Sequence, residues 1–396
     1  MRVRNLMIQV ELDGSAVPVD RRVFESLFEN SVASDRADVR KALVSGRIKF
    51  TTLLELSRLA EIPYPLFFSP AELVDAQLKA KRAKLMVGFT KKQFSVNSRS
   101  TVHLEDLELI VKDLLRKQRY LRTDPDLETN RVVGCLRKSR APIAVDAATL
   151  MNELGLARGE LPGASNKGAA LELLIGKVEA GQILVAQSSR NYMPQQLPRR
   201  TRFSGMTVKD PKVPYIFLAS GDEGDGVEPT GRRIFTLTLL TVLIARGTFA
   251  PVTYSGHSKE VSVPRDYEIA SEILMPAAEI RGMNSKSMAD VVALADHYKV
   301  TPSAVVMRAR RLGLLSMDVA NGYLDELKAE FSKAENPRRR SPKAVNALKK
   351  YNGVECSRRM LKLLDAGRIT RTDFCRVMFS NKLRPPQIKD FRAAVR

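Results

Sequence analysis

The chain has 396 residues, with 65 Lys and Arg against 44 Asp and Glu, a net charge of +21 and no Trp, so its cores must be mainly aliphatic. That charge points to a polyanionic partner, nucleic acid first, although a basic background composition would give the same total. Three cysteines without a C-x-x-C spacing build neither a disulfide framework nor a zinc knuckle and fit a reducing cytoplasm, while the absence of a signal-like start and of any apolar run near ~20 residues argues against secretion or a membrane span.

The first helical signals fall within residues 20–72. "SDRADVRKALVSG" reads as a helix with Ser34 as N-cap and Gly46 as terminator, and "TTLLELSRLAEI" as another opened by a Thr52-x-x-Glu55 capping box. From Lys79 to Arg99 there are seven basic residues and no acidic ones, the mark of a linker or basic arm. Residues 104–122 form a strongly amphipathic helix, followed by the helical stretches "AATLMNELGL" and "GAALELLIGKVEAGQ". "ILVAQ" (183–187) and "YIFLA" (215–219) read as short strands. An acidic, Gly-rich loop, "SGDEGDGVEPTG", leads into "RRIFTLTLLTVLIARG", whose β-branched residues suit a buried strand as well as a helix. The end of the chain is helical and basic: residues 333–396 carry 18 Lys and Arg against 5 Asp and Glu. A weak internal echo links "KALVSGRIKFTTLLEL" (41–56) with "KLLDAGRITRTDFCRV" (362–377), both reading helix, G-R-I, helix.

Several of these segments, in this order, resemble the ImmA/IrrE family, in which an XRE-type helix-turn-helix precedes a zincin-like peptidase domain. "FSGMTVKDPKVPYIFLAS" (203–220) is similar to the two strands ahead of the active helix, and "RRIFTL" (232–237) to the entry into that helix. "EILMP" (272–276) resembles the L-L-M-P signature, and "MADVVALADHYKVTPSAVVMRARRLGLL" (288–315) the helical pair beyond it. "SRRMLKLLDAGRITRTDF" (357–374) is similar to the C-terminal segment of longer members, and "TTLLELSRLAEIPYPLFF" (51–68) to the end of the XRE domain. The resemblance makes 232–247 a helix.

The departures fall on the chemistry. A zincin needs two His at i and i+4, a Glu between them as base, and a third ligand. Here Leu239 and Leu243 stand at the two His positions and Leu240 at the Glu position, and counting back from the L-L-M-P-like segment puts Val263, or a neighbour, at the third ligand. His257 with Glu260 sits in Gly/Ser-rich sequence that suits a surface loop, and Asp222, Glu223, Asp225 and Glu228 lack the pattern of a calcium loop. Neither a nucleophile elbow nor a phosphate-binding loop is present. No cofactor or metal is expected, and 232–247 is expected to be core.

The expected fold class is α+β, mainly helical. It would comprise a degenerate XRE-like domain (1–72), a basic helical connector (73–140), a zincin-like pseudopeptidase domain with a short sheet (141–315) and a basic helical C-terminal region (316–396). Nucleic acid is expected to meet Arg36, Arg40 and Lys41 on the recognition-type helix, and Arg338, Arg339, Arg340 and Lys343 in the tail. The first of these regions reads equally as a protein-binding remnant. Arg308, Arg310 and Arg311 lie on a second helix-turn-helix-like stretch whose family counterpart is structural. A partner protein is expected in the former peptide groove, over Tyr215, Phe217, Leu239 and Leu243; the competing expectation is a groove collapsed by these larger side chains. The resemblance implies a non-catalytic, cytoplasmic regulator or antitoxin of a phage, mobile-element or toxin–antitoxin module, with DNA and a toxin or repressor as partners. The alternatives are a repressor-cleaving metallo-endopeptidase with a non-standard metal site and a non-specific nucleic-acid-binding protein.

Overall fold

The computed structural model describes residues 6–29, 31–34, 36–86, 107–189, 191–197, 203–219, 228–253, 264–282, 287–333 and 343–395. The class is α+β and mainly helical, with two small sheets among the described residues. Contacts group the chain into two compact units, residues 1–88 with 102–113 and the remainder, where the sequence suggested four segments.

The first unit opens with a hairpin, β1 (Met7–Leu12) and β2 (Ser15–Asp20), which the helix-oriented reading of this region did not anticipate. Asp13 and Gly14 both take positive φ, 48° and 83°, as a twist-matched two-residue turn requires. Alternation along β1 sends Ile8 and Val10 inward. After α1 (Arg21–Glu29) and α2 (Ala37–Ser45), the chain forms β3 (Arg47–Lys49), which pairs parallel to β1 and makes the sheet order β2-β1-β3. It continues as α3 (Phe50–Leu59), a 3-10 turn over Tyr64–Phe68, and α4 (Ala71–Met86). Phe24, Phe28 and Phe67 form its aromatic centre, with ring centroids 4.8–5.9 Å apart.

Two expected caps are corrected. The N-cap of α2 is Arg36, without a side-chain bond, so Ser34 does not cap it. The N-cap of α3 is Lys49, which places Thr52 inside the first turn; no Thr52–Glu55 box forms, because the buried Ile48 pins the chain in the sheet immediately before the helix begins. Gly46 does terminate α2, at φ 69°, with its N–H donating to the Ala42 carbonyl at 2.8 Å.

The second unit contains the C-terminal part of α5 (Glu108–Leu121), then α6 (Ile143–Glu153), α7 (Lys167–Ala180), β4 (Leu184–Gln187), β5 (Phe203–Val208), β6 (Tyr215–Leu218), α8 (Thr230–Ala245), β7 (Pro251–Thr253), α9 (Arg265–Leu274) and the short α10 (Ala277–Arg281). Its sheet runs β4-β6-β5-β7, with β4 and β6 parallel and β5 antiparallel to both its neighbours. Every residue of β4, β5 and β6 is buried, so these strands show no polar alternation. The helical pair α11 (Met288–His297) and α12 (Pro302–Arg311) packs into the same core and leads to the long α13 (Met317–Lys333). Among the described residues no helix is long and apolar enough to cross a membrane.

The helices α14 (Ala344–Asn352), α15 (Val354–Asp365), α16 (Arg371–Phe379) and α17 (Ile388–Val395) complete this unit. Sequence suggested a basic region added to the domain; instead these helices are built into it. Phe374, Phe379 and Phe391 form their core. The buried Tyr215 hydroxyl of β6 donates to Cys356 Sγ at 2.9 Å, and Lys117 Nζ lies 4.4 Å from the centre of the Tyr351 ring. Arg359 and Lys362 reach the acids Asp124 and Asp126, which neutralises part of the basic sequence. Glu179 of α7 accepts from the Glu355 N–H at the start of α15. Gly353 allows this approach: its φ is 81°, and a Cβ there would meet the Val185 carbonyl and lie 2.7 Å from Glu179 Oε1.

Burial pushes the Glu179 carboxyl up to about 7. The folded chain therefore retains a proton that the unfolded chain releases near pH 4.5. The stability this contributes is fully present below that pH and is lost as pH rises through about 7. For a shift from 4.5 to about 7 the contribution is at most about 3 kcal/mol. Urea unfolding of the parent and of Glu179→Gln at intervals from pH 5 to 8 should give a stability difference that changes in the variant's favour as pH rises. A difference independent of pH would remove Glu179 from this role.

Candidate functional site

The stretch that would carry zincin chemistry is helical, and its sequence explains why it is enclosed. In α8, Ile234 and every residue from Thr236 to Ala245 are buried. Two of its buried threonine hydroxyls are satisfied within the helix: Thr238 Oγ1 donates to the Ile234 carbonyl at 3.0 Å, and Thr241 Oγ1 to the Leu237 carbonyl at 2.8 Å. The helix packs on β5 and β6 and against α7 and α9. Gly205 on β5 makes room for it, since a Cβ there would stand 2.8 Å from Leu240 Cδ1 and 2.6 Å from the Phe217 carbonyl oxygen.

Leu239, Leu240 and Leu243 thus lie in an aliphatic interior, with relative exposures of 0–1%. Tyr215 and Phe217 are wholly enclosed as well. This corrects the expectation of a partner groove over Tyr215, Phe217, Leu239 and Leu243: side chains covered on all sides by their own fold offer no surface to a docking segment. Val263 lies outside the described residues, but its neighbour Arg265, the first residue of α9, is described. The Arg265 guanidinium bonds the buried Asp146 carboxylate through both Nε and Nη2, at 3.2 and 2.6 Å, and Ser139 Oγ donates to the same carboxylate at 2.5 Å. Asp146 is therefore engaged by Arg265 and Ser139, while the next residue of α9, Asp266, makes a 3.4 Å ion-pair contact with Arg246 Nε. Among the described residues, no three His, Cys, Asp or Glu side chains converge to hold a metal. His103 and His257 lie outside them; His297, on α11, packs edge-on against Tyr298.

At the opening of α8, Glu228 is pushed up to about 7 by burial, opposed by the nearby Arg232 and Arg233 guanidinium groups and by a hydrogen bond from Ser204 Oγ at 3.3 Å. Asp222, Glu223 and Asp225 are outside the described residues. Arg308 serves the fold: it is buried, donates to the Met275 carbonyl at 3.1 Å and pairs with Glu272.

The nucleic-acid candidates have the opposite character. Arg36, Arg40 and Lys41 are all exposed at the start and along the outer face of α2, and none faces a carboxylate within ion-pair distance among the described residues. The exposed Arg47 and Lys49 on β3 extend this basic surface, Arg47 making only a 3.7 Å contact with Glu11. At the other end of the chain, Arg338, Arg339 and Arg340 lie outside the described residues. Lys343, at the N-cap of α14, is exposed, as are Arg371 and Lys389. Sequence reasoning did not single out Arg47, Lys49, Arg371 or Lys389; the G-R-I echo was the available signal for Arg47, since it marks an exposed Arg between an αL glycine and a buried Ile in both copies.

Comparison of the chain with protein-family models, curated proteins and solved structures finds no match. The site is therefore read from its own chemistry, which is an aliphatic core at α8 and, among the described residues, an unpaired cationic face at α2.

Replacing Leu239 and Leu243 together by His places two imidazoles in this dry interior. The double variant is expected to lose about 2–5 kcal/mol of stability, measured by urea unfolding, and to purify with less than one zinc per chain by elemental analysis. A stable variant carrying stoichiometric zinc would show that the leucines cover an intact metal site.

Proposed function

We propose that the protein is a non-catalytic regulator that binds duplex nucleic acid through α2, on a scaffold of the ImmA/IrrE kind whose peptidase helix has become core. The observation that carries this reading is the outer face of α2, where Arg36, Arg40 and Lys41 stand exposed without a carboxylate partner among the described residues. Exposed cations add little to a fold, whereas each one that neutralises a phosphate releases condensed counterion. A helix of this length enters a major groove, where Arg can also bond guanine in bidentate fashion. The preceding α1 gives the segment a helix, connector and helix order, and the edge strand β3 extends the charge. Lys343, Arg371 and Lys389 support additional phosphate contact from the C-terminal helices.

The aliphatic replacements in α8 support the non-catalytic part of the reading. A partner protein, such as a toxin or repressor of a mobile-element module, remains part of the proposal on the strength of the sequence resemblance, but without a place in the former groove.

Binding to a labelled random duplex at increasing salt tests the proposal. The Arg36→Ala/Arg40→Ala/Lys41→Ala variant should bind more weakly at every salt concentration, with the log–log slope reduced by about 2–3. A second variant with Arg338, Arg339 and Arg340 changed to Ala measures the C-terminal share. Parent-like affinity and slope in both variants would reject nucleic acid as the partner of these faces. If one duplex sequence binds preferentially, Arg36→Ala or Arg40→Ala should relax that preference, an effect expected of a base contact but not of a phosphate contact.

A further inference from the structure

The second unit holds a concave surface unrelated to the charges on α2. It is a cleft of about 410 Å³ between α6 and the end of α9 with α10, bounded also by residues 156–162. Pockets of this order accommodate small ligands. The α6 side offers Ala144, Ala147 and Ala148, small residues that leave an even apolar wall; Leu161, Ile273 and Leu274 supply aliphatic surface opposite.

Polar groups form a large part of the cleft wall, from Asn152, Arg158, Glu272, Glu279 and Tyr298, and they are unequal. Glu272 is already engaged: it pairs with the buried Arg308 and accepts from the Ala277 N–H at 3.2 Å. Among the described residues, Glu279 is fixed by one side-chain hydrogen bond. Its Oε2 accepts from the Tyr298 hydroxyl at 3.2 Å, and Tyr298 is 1% exposed, so the carboxylate is oriented from within the fold. The Tyr298 phenol is pushed up to about 12 by burial and by Glu279, and so remains a donor at neutral pH. The other oxygen, Oε1, meets Arg158 Nε at 3.8 Å, and the Arg158 side chain is 73% exposed. A contact that long, made by an exposed flexible side chain, is easily displaced.

From this arrangement we propose that the cleft binds a primary ammonium group carried on a compact apolar body, with the nitrogen on Glu279 Oε1 and the body against the alanine face of α6. In the unliganded protein the Arg158 guanidinium occupies the cation position. The carboxylate is fixed by Tyr298 while its cationic partner is free to leave, so the site complements a cation. The aliphatic part of the lining, from Ala144, Ala148, Leu161, Ile273 and Leu274, complements a cation that brings apolar surface with it. A small free amine and the amino-terminal residue of a peptide share this chemistry.

The test is calorimetric titration of the full chain with leucinamide, phenethylamine and, as the uncharged control, N-acetyl-leucinamide. Both amines should bind, and the acetylated control should bind about tenfold more weakly or not at all, the loss expected for one charge-assisted hydrogen bond. Glu279→Gln should weaken leucinamide binding by about tenfold, and Tyr298→Phe by a few-fold, while Arg158→Ala should tighten it about two- to fivefold by removing the competing cation. Circular dichroism and thermal unfolding confirm that each variant is folded. A pentapeptide amide beginning with Leu distinguishes the sources: binding about tenfold tighter than leucinamide identifies a peptide amino terminus, and equal or weaker binding a small amine. Equal binding of the acetylated control, parent-like binding by folded Glu279→Gln, or no saturation by either amine below about 10 mM would overturn the assignment.

Discussion

The second unit depends on the need to cover α8 from every direction. A helix whose residues 236–245 are all buried has no face to give to water, and its apolar area contributes to stability only where something removes it from solvent. The sheet covers one side through β5 and β6, while α7 and α9 cover others. The close fit extends to the first turn, where Gly231 passes the backbone between α11 and α12; a Cβ there would lie 2.6 Å from the Val300 carbonyl oxygen. At the other end, the Gly134 N–H donates to the Ile244 carbonyl and the Leu136 N–H to the Ala245 carbonyl, at 3.0 and 2.8 Å, so the last carbonyls of α8 are satisfied by the chain that precedes α6.

Enclosure also explains why aliphatic residues suit this helix. An ionised Glu or a pair of imidazoles at positions 239, 240 and 243 would have to be solvated by a metal or by polar neighbours. Here the neighbouring polar groups are already used: Asp146 is taken by Arg265 and Ser139, and Glu272 by Arg308. Leucine removes the need for solvation and fills the volume, which Gly205 leaves open for Leu240. Packing and chemistry agree at this point, since leucines at 239, 240 and 243 form an unbroken core and bring no group that needs solvation.

Much of the second unit was legible because its signals are local. The runs at 183–187 and 215–219 mark β4 and β6, and 288–315 reads as two helices joined by a turn, which the fold caps with Ser287 and Thr301. The helical state of 230–245 was not legible from propensity, since a β-branched apolar run fits a buried strand equally well; what accompanies the helix is long-range cover, with two of its threonine hydroxyls satisfied by its own carbonyls. The hairpin at Met7–Asp20 was written locally, in an Asp13-Gly14 turn between alternating residues, and is obscured only by the strong helical signals of residues 20–72. The false cap at Thr52 has a different cause: the motif is sound as a pattern, but pairing of β3 with β1 decides where α3 begins. The amine cleft has no sequence signature, because Arg158, Glu279 and Tyr298 meet only after the fold has closed.

Charge separates into two populations with different consequences. In the C-terminal helices much of it is paired internally: Arg359 and Lys362 with Asp124 and Asp126, Arg392 with Asp365, and Arg376 with Asp373. The first two of these pairings join distant parts of the sequence, and all of them mean that the net charge of that segment overstates what it offers a polyanion. On α2, by contrast, Arg36, Arg40 and Lys41 make no such pairs among the described residues, and the segment folds through Val39 and Ala42 on its other face. Their removal should therefore leave the first unit's core intact, because that core contains none of them. Three cations that the fold does not use, set beside the exposed Asp38, have their free energy governed by the ions around them. Replacing those ions with a nucleic-acid backbone changes that free energy without rearranging the core.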